Sequence, residues 1–486
     1  MTTLQQIVQD NLTLTFTQLQ TDKQLVSEIQ RKLANLGLHP GGQWIDGLYD
    51  RYVETGLTEF CSAFSLDNFD RQAIGATLVQ KLLDVLQLPY VFESARDTQH
   101  ILDKLTTTQA NTPVVSDHVA FLDRTIRNSP FATQINQYPS RLSQRPDSQT
   151  VFSYGKSFQP VDAKKPVTFE PYPRKGEKPQ IDSQGLDFLD RNIESGCLCI
   201  GSFVPGDPGI KTHWLGRNAT KPLQFLSATK FIPILNVICQ VNALSPQCDV
   251  DNCMIGTDSQ GKRYRFYELA TDVVSYDARI ASSNSLSALF KRFTQRQELE
   301  DWIKAITNNH AIEFKGYYGE NPFIATPKLF DTTAATTEPL LTAAPEVGTG
   351  NNYVSAYDLV RLISMLGWHH HLSPDRRLPA AQWRSLESLV RALGWDTARY
   401  LDVALETLGL VNVVSDPVVI SKLGLGNSAL TYVALAQFID RRQKTPTWRT
   451  LAMALWAPNG TDTERDTTMA AAVTEIMRQI FAEELA

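Results

Sequence analysis

Two residues three apart, Ser227 and Lys230, sit inside the apolar stretch Phe225 to Leu235. On a helix, positions three apart share a face, so hydroxyl and amine can meet. An amine in apolar surroundings gives up its proton more readily than one in water. It could then take the Ser227 proton and turn that hydroxyl into a nucleophile. The same spacing also fits a serine and a lysine on an ordinary amphipathic helix, so the surrounding elements must decide.

Those elements can be read from pattern. Cys197 to Val204 reads as a strand, Pro205 to Gly209 as a turn and Ile210 to Leu215 as the return strand. Gly185 to Ser195 carries Leu186, Leu189 and Ile193 at helical spacing. After the Ser227 helix, helical patterns cover about 266–277, 283–293 and 297–308. A loop, 314–350, follows, and its stretch Thr332 to Ala344 is low in complexity and expected to be mobile. Helices then fit Ser355 to Leu366, 380–393 and 397–408. Strands fit Pro417 to Ser421, Ala429 to Ile439 and Trp448 to Trp456, and the helix Asp466 to Glu484 closes the chain. Strands this close in sequence pair antiparallel. The expected assembly is an antiparallel five-stranded sheet flanked by terminal helices, with an inserted all-helical subdomain.

The bulk numbers set limits. A chain of 486 residues should hold two or three domains. A 42% hydrophobic and 20% charged composition is globular. With net charge −6 and no long basic run, nucleic acid is not an expected partner. No apolar run reaches membrane-helix length. The N-terminus, Met1 to Asn11, lacks a basic and an apolar signal region, so the expectation is a cytoplasmic protein, or an envelope protein whose export signal lies outside this sequence. Six cysteines (61, 197, 199, 239, 248, 253) show no zinc spacing, and no metal or cofactor is implied. A disulfide among Cys239, Cys248 and Cys253 and a fully reduced set both fit. Adjacent His369, His370 and His371 point apart on a helix end and read as a solvated turn. Trp44, Trp395 and Trp448 read as core.

Toward the N-terminus, residues 1–25 read as a short helix or an extension. A helix follows with Val26, Ile29, Gln30, Leu33 and Leu36 on one stripe, ended by Gly37. Ile45-Asp46-Gly47 makes a turn, and helices near 50–64 and 71–87 complete three. The stripe, the Asp-Gly turn and Phe60 resemble the peptidoglycan-binding domain family, a three-helix module. The family's usual glycine after the aromatic residue is here Asp50, and its usual glutamine after the phenylalanine is Cys61. The resemblance implies peptidoglycan as a partner, beside a purely structural use of the module. Residues 93–180, with Pro166, Pro171, Pro173 and Pro179, read as a linker between a domain at 1–92 and one at 181–486. Short helices are expected within it, at 97–105 and 115–127.

The larger domain also resembles a family. Ser227-x-x-Lys230, then Ser282-Ser283-Asn284 opening an apolar helix, then Lys422-Leu423-Gly424 with Gly426 opening a strand, stand in the order of the serine β-lactamase and penicillin-binding protein superfamily. The resemblance implies an α/β β-lactamase-like fold and an acyl-enzyme at Ser227. Lys230 would be the general base, Ser282 a proton relay, and Asn284 the residue that orients Lys230 and holds the substrate amide. Lys422 would favour a deprotonated Ser282 and attract an anionic substrate. The N–H of Ser227 and one near Gly426 would form an oxyanion hole.

This chain departs from the family at Leu423, where a hydroxyl usually helps bind the substrate carboxylate; the missing donor removes about 1–3 kcal/mol. Glu313 and Glu320 lie where some members keep a water-activating glutamate, but the surrounding motif is absent, and they read as loop residues. Three functions remain open. One is a serine hydrolase or acyltransferase acting on a peptide, amide or ester near the cell wall. The others are a non-catalytic binding or scaffold protein of the same fold and a cytoplasmic, glutaminase-like amidase.

Overall fold

The computed structural model describes residues 2–485, except 37, 40, 42–43, 65, 67–72, 86–97, 112–118, 162, 259–260, 336–337, 346–349 and 443–444. Its centre is a sheet with five long strands: β1 (Ser195–Phe203), β2 (Ile210–Arg217), β3 (Val414–Gly426), β4 (Ala429–Asp440) and β5 (Thr447–Ala457). They lie in the order β3-β4-β5-β1-β2, every pair antiparallel. Two short pieces widen it to seven strands: Glu170–Pro171 pairs antiparallel with β2, and Ile181–Asp182 pairs parallel with it.

Alternation along each strand sorts side chains into two cores. Cys197, Cys199, Ile420, Val433, Leu435 and Ala452 join one core, with helices α1 (Phe231–Leu244) and α5 (Ala356–Gly367). Leu198, Ile200, Val419, Leu423, Tyr432 and Met453 join the other, with the final helix α8 (Asp462–Phe481). Both faces are covered, which is why these strands read as nearly continuous apolar runs. Between α1 and α5 come α2 (Phe266–Ser275), α3 (Ser283–Lys291) and α4 (Arg296–Thr307); α6 (Trp383–Leu393) and α7 (Tyr400–Thr407) follow α5. Capping boxes at Ser355/Asp358 and Thr461/Glu464 fix the starts of α5 and α8. Among the described residues no helix is long and apolar enough to cross a membrane.

Several expectations need correction. The helix at 185–195 is a chain of turns. Asp182 and Asp190 accept N–H bonds from Gln184 and Asn192, and Arg217 donates to the carbonyls of Leu189, Asp190 and Ile193, which a helix would have used itself. The inserted subdomain is not all-helical: Cys253–Gly256 pairs with Arg263–Arg265 and with Lys328–Asp331, which in turn pairs with Leu341–Thr342 inside the low-complexity stretch. All six cysteines are free, and the Cys248 and Cys253 sulfurs lie 3.4 Å apart as a thiol contact. His369 and His371 are buried rather than solvated, and His371 donates to the Leu142 carbonyl at 2.9 Å.

The segment read as a linker is packed from residue 119 onward. Arg141 donates to the Pro417 carbonyl at 2.7 Å, and Phe169 and Tyr172 are buried. The backbone N–H groups of Phe121 and Leu122 each donate to the Asp466 carboxylate at 2.9 Å, and Tyr400 adds its phenol at 2.6 Å. Within this segment a 3-10 stretch, Ala132–Gln137, runs into a short helix, Tyr138–Leu142, with Pro139 in its first turn. Before it lies a helix, Thr98–Asn111, longer than expected; the start of the one expected at 115–127 falls outside the described residues, and 126–128 is a 3-10 turn. Burial pushes the Asp466 carboxyl up to about 7. A raised acid pKa stabilises the fold in its protonated form, so this contribution fades as pH rises from the ordinary carboxyl range through about 7. Asp466→Ala, which strands three buried donors, should cost about 3 kcal/mol in urea unfolding.

In the N-terminal region, helices Lys23–Asn35, Arg51–Ala63 and Ala76–Asp84 stand where expected, and the third follows a strand, Ala73–Gly75, paired with Thr13–Thr15. Buried Gln30 accepts the Gly47 N–H at 2.9 Å and donates to Asp46 and to the Leu48 carbonyl at 3.0 and 3.1 Å. Of the residues that carried the module resemblance, Gln30, Asp46 and Gly47 are thus joined in holding the turn.

Candidate active site

Ser227 and Lys230 do not share a regular α-helix. Ser227 lies in a 3-10 turn, Leu226–Thr229, and Lys230 is the N-cap of α1. A 3-10 turn has three residues per revolution, so positions i and i+3 eclipse and the two side chains emerge on the same side. The turn is entered through Leu226 at φ 50°, a left-handed conformation costing about 1–3 kcal/mol in a non-glycine residue. Contacts with β3 and β4 hold it there. The Thr431 hydroxyl donates to the Phe225 carbonyl at 2.8 Å and meets the Gly424 carbonyl at 3.2 Å.

Gly424 is required by this contact. A β-carbon there would lie 2.4 Å from the Thr431 hydroxyl, 2.7 Å from the Ala228 nitrogen and 2.8 Å from the Phe225 carbonyl. At Gly426, farther along β3, an added β-carbon would lie 3.1 Å from the Leu226 side chain. Strand and turn therefore close on each other around Ser227, which is half-buried. Gly424→Ala should push the turn off the strand, costing about 2 kcal/mol in stability. Any covalent labelling of Ser227 should fall with it, as read by gel fluorescence at a temperature where the variant stays folded.

Lys230 is 1% exposed. Its amine donates to Asn284 Oδ1 at 2.6 Å and to Ser283 Oγ at 2.9 Å, while Ser283 donates onward to the Val273 carbonyl at 2.7 Å. The rings of Tyr276 and Tyr318 flank it at 5.4 and 5.5 Å. Burial, with some help from the positive charge of Lys422, pulls its pKa down to about 6; Glu320 acts in the opposite sense. The amine is thus largely neutral at neutral pH.

Lys422 is fully buried, donating to the Tyr276 phenol at 2.6 Å and to the Leu423 carbonyl at 3.1 Å, with its nitrogen 3.9 Å from the centre of the Tyr276 ring. Burial lowers it to about 7, opposed by the Asp396 carboxylate. Tyr276 caps α2 in a left-handed conformation, φ 58°; its hydroxyl donates to the Leu423 carbonyl at 3.2 Å and lies close enough to Ser227 to interact with it. Burial raises its own pKa. One phenol therefore joins the nucleophile to the strand lysine.

The predicted residues divide accordingly. Ser227, Lys230, Asn284, Lys422, Gly424 and Gly426 are brought together. Ser282 is turned elsewhere: its hydroxyl accepts the Ser285 N–H at 3.1 Å as the cap of α3 and bonds the Glu320 carboxylate. Its neighbour Ser283 is the serine that reaches Lys230. Leu423 does not line the cleft, because alternation along β3 sends its side chain into the core shared with α8, where it is 5% exposed. Lys422, expected to draw in an anion, is sealed against Tyr276. Glu320, expected as a loop residue, reaches Ser282, whereas Glu313 accepts the Asn351 N–H at 3.0 Å. Sequence reasoning missed Tyr276, Ser283 and Tyr318. Ser283 lay inside a motif already singled out, but nothing in the spacing of Tyr276 or Tyr318 marks them.

No protein-family model matches the chain, and no curated protein matches it. Solved structures do align. A mutant of the class A β-lactamase of the last common ancestor of Gram-negative bacteria is 14% identical, with TM-score 0.38, over 62% of this chain and 98% of its own. TLA-3 extended-spectrum β-lactamase is 13% identical, with TM-score 0.37, over 61% and 98%. A β-lactamase from Xanthomonas campestris pv. campestris is 12% identical, with TM-score 0.35, over 59% and 91%.

Proposed function

We propose that this chain is a serine hydrolase or acyltransferase that passes through an acyl-enzyme at Ser227. The observation that carries this reading is the buried amine of Lys230, fixed by Asn284 and Ser283 one 3-10 turn from a half-buried serine. An ordinary structural lysine would carry its charge at the surface. Ser227 Oγ bonds to the substrate carbonyl carbon and its proton passes to Lys230 Nζ. The resulting oxyanion is held by backbone N–H groups of the Ser227 turn and of β3 near Gly426. As the tetrahedral centre collapses, the leaving group takes a proton from Tyr276, which Lys422 replenishes. Lys230 then gives up the Ser227 proton to solvent and Lys422 regains one from it. A water, or an acceptor nucleophile, can now attack the ester carbonyl and give its proton to Lys230, which passes it to Ser227 Oγ as the ester bond breaks.

Side-by-side labelling tests this. A fluorescent fluorophosphonate should react with the folded protein, and a fluorescent penicillin should react at least about tenfold more slowly, because Lys230 and Lys422 are buried and bonded inward, away from an incoming carboxylate. Absence of label from both reagents would remove the enzyme reading and leave a binding or scaffold protein.

A further inference from the structure

The groups around Ser227 define what its acyl partner can carry. Recognition of a carboxylate needs a cation or N–H and O–H donors that reach open space. Here the charged donors and the Thr431 hydroxyl are committed inward. Lys230 and Lys422 are 1% and 0% exposed, and their amines are bonded to Ser283, Asn284, Tyr276 and the Leu423 carbonyl. The Thr431 hydroxyl is taken by the Phe225 carbonyl. Arg465, on the helix end behind the tip of β3, gives its guanidinium to the carbonyls of Gly426, Asn427 and Pro458.

What remains beside the nucleophile is of another kind. Leu226 stands half-exposed against Gly426, and Tyr276 and Tyr318 are half-buried. Glu320 is exposed, is bonded to Ser282, and lies close enough for its charge to act on Lys230. A negative charge on the substrate would meet this carboxylate, while the exposed Arg279, between Tyr276 and Ser282 in the chain, is paired with Asp277.

Resting on the reading of Ser227 as the nucleophile, we infer that the site takes substrates with an uncharged, apolar acyl group and selects against anionic ones through Glu320. The test uses two fluorophosphonates that differ only in the end of one alkyl arm, a methyl in one and a carboxylate in the other. In each case the serine oxygen bonds to phosphorus, fluoride leaves, and the serine proton goes to Lys230. The methyl reagent should label wild-type protein about tenfold faster at low salt, with the gap narrowing as salt is added. Glu320→Gln should shrink the ratio by about threefold, and Glu320→Lys should bring it to one or below. Equal rates in the wild type, a faster carboxylate reagent, or a ratio unmoved by both substitutions would overturn the inference. Label from neither reagent would instead overturn the nucleophile itself, and the selectivity with it.

Discussion

Replacing Ser227 with alanine is expected to abolish covalent labelling and to lower turnover of an activated ester by on the order of 10⁴-fold. The fold should survive. Ser227 is half-buried, and the turn that carries it is held by Thr431, Gly424 and Gly426 through backbone and neighbouring side chains. Loss of activity at unchanged thermal midpoint therefore assigns chemistry to the hydroxyl. Turnover within about twofold of wild type would show that the ester reacts elsewhere. The hydroxyl's link to Tyr276 offers a graded companion: Tyr276→Phe keeps the ring over Lys422 but removes the phenol that joins Ser227 to it. It should cost about 10²-fold, and more for amides than for activated esters, whose leaving groups need no proton.

Lys230→Met should have the second largest effect. Methionine fills the space between the Tyr276 and Tyr318 rings and leaves Asn284 and Ser283 without their donor. The expected loss in acylation is on the order of 10³-fold, read as the rate of fluorophosphonate labelling. In the wild type the same amine sets the pH profile. Lys230 acts as a base only when neutral, and its pKa is drawn down from 10.5 to about 6 by burial and by Lys422. Acylation should therefore rise as pH climbs through about 6 and then level off. Amide turnover adds a demand at the other end, since Lys422, drawn down to about 7, must be protonated to resupply Tyr276. Its rate should fall again above about 7, giving a narrow bell. Removing Asp396, the carboxylate that holds Lys422 charged, should move the falling limb to lower pH.

The sheet and most helices were legible because their signals are local. β3, β4 and β5 are long apolar runs with a short turn between the first two, and α5 announces itself through Ser355, Asp358 and a full apolar stripe. The helix at 185–195 failed for a non-local reason: Arg217, more than twenty residues away, satisfies carbonyls that helical spacing alone assigns to a helix. The packed course of 119–180 was hidden in the same way, since Asp466 and Pro417, which anchor it, lie hundreds of positions distant.

The site shows the same divide. Three short motifs in order were enough to gather Ser227, Lys230, Asn284 and Lys422. Which serine of Ser282-Ser283 meets Lys230 depends on how α3 begins, with Ser282 as its cap and Ser283 turned inward. That Leu423 faces the core follows from strand alternation once β3 is placed between two covered faces. Tyr276 comes to the nucleophile only because α2 ends in a left-handed residue.

The central claim is that a neutral Lys230 activates Ser227. It is tested most directly by mapping the fluorophosphonate adduct by mass spectrometry while its rate of formation is followed from about pH 4.5 to 9. The expected result is a single adduct on Ser227 whose rate rises with a midpoint near the lysine's value of about 6. An adduct on another residue, or a rate at Ser227 that is flat with pH or climbs only toward an ordinary lysine's 10.5, would contradict it.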